Sequence, residues 1–303
     1  MCLAHTFIAM VHLYTNCLYT VRIMSLARTM VTQYLSTMLM PPCSLAKSNA
    51  VQHLHTDIVE HDVDVALVAE TWFTVKHCDQ DIETDQYKLF RRDRIRRKGG
   101  GVCAYVRAHY RCQIFHPAPN HDLIEIMWLK IDVGNNLYFV ACAYHPPKSK
   151  YPPVDFITEL TNGIESVILS YPSSTIVIAG DFNQLDTSCL NIDYGLLQIV
   201  TTPTHNLNLI DKVFVNHPDK YEAYCIQSLI KTKHMAVLIV PVGAHCPDNL
   251  VKKHKRTTVS VYDLRSHNID RLRYAIGTFD WSSVLLCYDV TTVYNTFCLL
   301  SVT

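Results

Sequence analysis

Seven stretches of the chain are apolar runs with the length of β-strands: 63–69, 102–107, 124–131, 137–143, 175–180, 212–216 and 235–241. Several of them, VDVALVA and IVIA above all, are nearly continuous rather than alternating, which is the pattern of strands buried on both faces. Helical periodicity is rarer. It appears at Ser48 to Glu60, where Val51, Leu54 and Ile58 share a face, and at Val154 to Ser170, where Phe156, Ile157, Leu160, Ile164 and Val167 do. Buried strands with a few amphipathic helices predict an α/β protein in which packed mixed sheets carry helices on their outer faces.

The ends of the chain differ from this pattern. Met1 to Val21 contains no Asp, Glu, Lys or Arg, yet His5, His12, Asn16 and repeated Thr and Tyr make it a poor membrane span, and it has no basic leader. Residues 1–40 are therefore expected to form a poorly ordered extension, with no membrane partner. From Pro247 the composition shifts again. Lys252, Lys253, Lys255 and Arg256 form a basic linker, and Ser266 is placed to cap a helix with Ile269, Leu272, Ile276 and Phe279 on one face. The expected organisation is one domain over 41–243 and a linker with a helical tail over 244–303.

Composition narrows the chemistry only slightly. The 27 basic and 27 acidic residues cancel, so any cationic surface is local. One local surface stands out in RRDRIRRKGGGV, where Arg91, Arg92, Arg94, Arg96, Arg97 and Lys98 are offset only by Asp93. It reads either as a charged hairpin tip or as a loop gripping DNA phosphates. Gly99 to Gly101 turn the backbone into the next strand but lack the spacing of a nucleotide-binding P-loop, and no small-molecule cofactor is implied. The twelve cysteines contain no C-x-x-C and read as reduced, mostly buried thiols of an intracellular chain.

The strand ends carry the candidate chemistry. Ile176 to Ala179 leads through Gly180 to Asp181 and Asn183, two residues apart and so on one side of an extended backbone. A carboxylate and an amide there suit a hard cation and a phosphate oxygen, half of a phosphoryl-transfer centre. Glu70 caps the 63–69 run, either as a solvated strand end or facing a metal. Tyr144 ends LYFVACAY and is either packing or a phosphate donor. Asp211 enters a strand in LIDKVFVN, and His234 stands at the mouth of another in KTKHMAVLIVP.

In order along the chain, AETW, GGGVCAYVR, AYHPP, GDFN, LIDKVF and KHMAVL resemble the endonuclease/exonuclease/phosphatase superfamily over roughly Leu45 to Pro241. More narrowly they resemble the apurinic-site-type endonuclease domain of LINE-type non-LTR retrotransposons. The resemblance implies a four-layer, DNase I-like α/β sandwich. It also implies a Mg²⁺-dependent DNA endonuclease, with Mn²⁺ as an alternative ion, acting in the nucleus.

By the same resemblance, Glu70 is the principal metal ligand, and Asp181 contacts the metal and positions or deprotonates the attacking water. Asn183 and Tyr144 hold the scissile phosphate, and Asp211 orients His234. The chain departs from the family twice. Pro41 stands where relatives have an Asn, and Lys233 where they have an Asp before the final His. Both departures predict weakened metal binding, and the second predicts a neutral His234. They leave open an inactive transposon relic that at most binds DNA, and the scaffold leaves open a phosphoesterase of small esters.

Overall fold

The computed structural model describes residues 35–40, 44–95, 98–117 and 121–243, together with Asp270, Arg271, Tyr274 and Thr278. The chain divides into two compact units, 1–253 and 254–303. Those four residues belong to the second unit and are helical, whereas the apolar face expected there, Ile269, Leu272, Ile276 and Phe279, lies outside the described residues.

The first unit is built on two six-stranded mixed sheets. Sheet A comprises β1 (Thr37–Met40), β2 (Val65–Ala69), β3 (Tyr87–Arg92), β4 (Val102–Arg107), β11 (Tyr221–Ile226) and β12 (Ala236–Pro241), in the order β11-β12-β1-β2-β4-β3. Sheet B comprises β5 (Arg111–Phe115), β6 (Glu125–Val133), β7 (Asn136–Tyr144), β8 (Thr175–Asp181), β9 (Leu197–Gln198) and β10 (Asp211–Val215), in the order β5-β6-β7-β8-β10-β9.

Alternate residues of these strands point to different cores. Leu67 and Ala69 of β2, Leu129 of β6, Val177 and Ala179 of β8 and Val213 of β10 meet between the sheets. Ala66 and Val68 turn outward onto α1 (Ala50–Glu60) through Val51, Leu54 and Ile58. On the other side, Ile176 and Ile178 pack with Phe156, Leu160, Ile164 and Val167 of α3 (Pro153–Ser170). Each central strand is thus buried on both faces, which explains the continuous apolar runs and establishes the expected four-layer sandwich. Two short helices, α2 (Asp79–Ile82) and α4 (Ser188–Tyr194), complete the elements used below.

The sheet reaches back to Thr37, inside the stretch read from sequence as an extension. β1 is no edge strand. It pairs in parallel with β2 and antiparallel with β12, at the centre of sheet A. Six cysteines lie among the described residues, all free; Cys103 and Cys142 are buried, Cys112, Cys189 and Cys225 are half-buried and Cys78 is exposed, so fully buried thiols are fewer among them than expected. No helix among the described residues is long and apolar enough to cross a membrane.

Candidate active site

One end of sheet B sets a row of side chains by register alone. Glu125 of β6 lies opposite Tyr144 of β7, Tyr144 lies beside Asp181 of β8, and Asp181 lies opposite Asp211 of β10. Directly paired residues put their side chains on the same face about 5 Å apart, so the row brings a phenol and three carboxylates together. All four residues are buried.

Such crowding has an electrostatic cost. The Asp181 carboxyl is pushed up to about 7, first by burial, then by the charge of Asp211 and, more weakly, of Glu70; the Asn183 amide and His234 pull the other way. Tyr144 is raised far above the ordinary phenol value by burial and by Glu70 and Asp181, against the pull of Arg94, so its hydroxyl stays protonated. It can therefore donate to an anion.

Asp211 is fully buried and holds the imidazole of His234, whose Nδ1 stands 2.8 Å from Oδ2. Its backbone N–H donates to Thr204 Oγ1 at 3.1 Å, and its Oδ1 has no partner among the described residues. Burial alone would lower His234. The hydrogen bond and charge of Asp211, reinforced by Asp181 and Glu70, outweigh burial and leave the pKa raised. The neutral imidazole expected from Lys233 is thereby corrected: the buried carboxylate in contact governs the ring, not the cation next along the chain. The ring of His205 packs on that of His234, with centroids 4.4 Å apart, in a short bridge between the two backbones. His205 carried no sequence signal, because only the folded turn Thr204–Asn208 brings it there.

Asn183 reaches the site by another route than the one expected. β8 ends at Asp181, and Asn183 sits in a left-handed turn at φ 48° rather than on an extended backbone. Its N–H donates to Asp181 Oδ1 at 3.0 Å and its Nδ2 to the carbonyl of His145 at 2.8 Å. Asn tolerates this conformation better than most residues because its short side chain can hydrogen-bond locally.

Sheet A supplies Glu70 directly after β2, at φ 56°, again left-handed. Its charge acts on Tyr144, Asp181, His234 and Arg94, which fixes it on the same side as the row. The loop after it is tied to the glycine triplet, Thr71 N–H to Gly101 O at 3.1 Å and Trp72 N–H to Gly100 O at 2.9 Å. Among the described residues no three ligating side chains converge tightly enough to hold an ion unaided. Mg²⁺ does not require this, since it keeps several waters and takes one or two carboxylates. A hard-oxygen donor set, excess negative charge and an orphaned Asp211 Oδ1 together fit such an ion.

The basic stretch does not form one exposed loop. Arg91 and Arg92 belong to β3. Arg91 donates to Asp79, Asp93 and the carbonyls of His77 and Thr74, and Arg92 to the carbonyls of Ile126 and His121. Arg94 pairs with the buried Glu125, lies 5.5 Å over the Tyr144 ring, and packs so closely on Gly100 that a Cβ there would stand 2.2 Å from its guanidinium. Glu125 also accepts the Gly101 N–H at 2.8 Å. The triplet therefore seats Arg94 and the Glu70 loop, a task invisible in sequence. Lys98 is exposed, while Arg96, Arg97 and Pro41 lie outside the described residues.

A family model described as the Endonuclease/Exonuclease/phosphatase family matches residues 43–222, more than half of the chain. No curated protein matches it. Among solved structures, the fold is similar to the endonuclease domain of TRAS1, a telomere-specific non-LTR retrotransposon, at a TM-score of 0.51 and 13% identity over 69% of this chain and 99% of that one. It is also similar to an AP endonuclease from Archaeoglobus fulgidus, at 0.51 and 11% over 69% and 100%. D. rerio TDP2 complexed with a single-strand DNA product is similar at 0.50 and 12% over 68% and 97%.

Proposed function

The chain belongs to the Endonuclease/Exonuclease/phosphatase family, and from that premise we propose that it is a Mg²⁺-dependent endonuclease of non-LTR retrotransposon descent that hydrolyses a phosphodiester bond of nuclear DNA. Family and fold support phosphodiester hydrolysis in general. One observation carries the finer reading: Asp181 and Asp211 stand opposite each other in register, with His234 held at 2.8 Å by the second of them. A centre for attack on a phosphate needs a group to orient water, a charged donor and neutralisation of the oxygens, and this arrangement supplies the first two.

In this mechanism Glu70 and Asp181 would hold the ion, which would supply neutralisation of charge on the phosphoryl oxygens. Asp181, facing Asp211 across the strand pair and buried in the row, would position the attacking water or accept its proton. His234, whose protonated form Asp211 favours against the effect of burial, and Tyr144, kept protonated by its surroundings, would donate to the non-bridging oxygens. Asn183 retains one amide hydrogen beyond that given to His145, available for the phosphate. Exposed Lys98 is left to grip the DNA backbone, since Arg91, Arg92 and Arg94 are committed to protein groups.

An intact His234–Asp211 pair weighs against the reading as an inactive relic, which rested partly on Lys233. Nicking of supercoiled plasmid in Mg²⁺ tests the proposal. The wild type should nick at least 100-fold faster than Asp181→Ala or His234→Ala, a loss on the order of a general acid–base contribution. Equal rates for all three would overturn it.

A further inference from the structure

Trp72 follows Glu70 closely along the chain, and it combines partial exposure with a strained backbone. Two residues after Glu70, it sits at φ 62°, a conformation that a bulky side chain rarely adopts. The cost is not recovered by burial, because the indole remains 44% exposed. Other interactions impose the geometry. The Trp72 N–H is held by Gly100 O at 2.9 Å, and the indole packs along Gly99, where an added Cβ would stand 3.4 Å from Cε2. A Cβ at Gly99 would make only ordinary contact with the ring, but its φ of +78° disfavours any side chain there.

The position links this ring to the phosphate centre. Gly100, which fixes the Trp72 backbone, also receives the Arg94 guanidinium that lies over Tyr144. Glu70, Trp72, Arg94 and Tyr144 thus share one continuous framework. Lys98, next to Gly99, is exposed and offers a cation for the strand backbone, and Ile95 on the same loop is 59% exposed. A flat exposed ring beside a cation and a phosphate site has the chemistry of a stacking platform for an unpaired base.

Resting on the nuclease reading above, we infer that Trp72 stacks on a nucleobase of the strand that carries the scissile phosphate, so that the preferred substrate presents unpaired bases at the cleavage point. Stacking on an aromatic ring tolerates every base, so the preference concerns strandedness and not sequence. Paired bases in an intact duplex keep their faces covered by neighbours and gain nothing from the ring.

The test uses the full chain in EDTA, with a fluorescein-labelled single-stranded oligothymidylate and a duplex of equal length. Unlabelled oligothymidylate should quench indole emission of the wild type. Trp72→Ala should lose that quench and about 10-fold in single-strand affinity, with duplex affinity changed less than 2-fold, and Trp72→Phe should retain most of the single-strand affinity. Matching circular dichroism and thermal melts establish that both variants fold. Unchanged single-strand affinity in Trp72→Ala, equal loss for both DNA forms, or no single-strand binding by the wild type would each overturn the inference. Plasmid nicking separates the two readings: normal nicking with unchanged single-strand affinity removes the stacking role alone, whereas quenching without nicking removes the nuclease reading and leaves the platform.

Discussion

The two sheets deliver their groups to the site by opposite means. Sheet B aligns Glu125, Tyr144, Asp181 and Asp211 through unbroken hydrogen-bonded register, so their positions are inherited from the strand pairing itself. Sheet A delivers Glu70 and Trp72 through left-handed residues propped on three glycines and one buried ion pair. Side chains on strands are held more precisely than those on loops. The comparison therefore predicts that damage to the sheet B end is global, while damage to the sheet A end stays local.

Two glycine substitutions test this most severely. A Cβ on Gly180 would meet the backbone carbonyl of Ala143 at 1.9 Å, between two central strands that cannot separate without moving the row. Gly180→Ala should cost about 4 kcal/mol or more in urea denaturation and abolish activity with it. Gly100→Ala instead meets the end of a flexible arginine, at φ +70°. It should cost about 2 kcal/mol and reduce nicking while leaving a folded protein with an unaltered β-sheet spectrum. Equal destabilisation by the two would erase the distinction.

Charge in the row supplies the next test. Asp181 is raised to about 7 from 3.8, so between those values the folded state binds more protons than the unfolded one. Stability in EDTA should therefore fall as pH rises from about 4 to about 7, then level off. Asp181→Asn should flatten that slope and be more stable than wild type at pH 8 by about 2 kcal/mol, although inactive. A wild type whose stability is flat through that window would remove the crowding argument. The smallest effect separates cations at the sheet A end. Lys98→Ala should leave stability unchanged and lower the salt slope of DNA binding by about 1, while Arg91→Ala should lose about 1 kcal/mol of stability and leave the slope nearly intact.

How far the sequence reveals this depends on where each feature gets its information. The strands around 63–69 and 175–180 were legible because burial on both faces enforces apolar runs, and Asp181 and Glu70 were legible as charges ending them. The edge strands were missed: YKLFRR, RCQIF and YEAYCI mix charge and apolar residues because one side faces water or a neighbour's polar groups. β1 is not legible because a threonine and three apolar residues followed by prolines give no period to read. The direct opposition of Asp181 and Asp211, the stacking of His205 on His234 and the seat that Gly100 makes for Arg94 depend on register and tertiary approach, neither of which leaves a local pattern.

The central place of β1 constrains how the molecule comes into being. Its neighbours are β2 and the last strand, β12, so sheet A cannot close until residue 241 has left the ribosome. A nascent chain stalled anywhere earlier would hold open the middle of the sheet, with unpaired strand edges on either side of the gap. Such contacts between distant parts of a sequence are slow to form, and premature termination upstream of β12 should yield insoluble fragments instead of a shorter working nuclease.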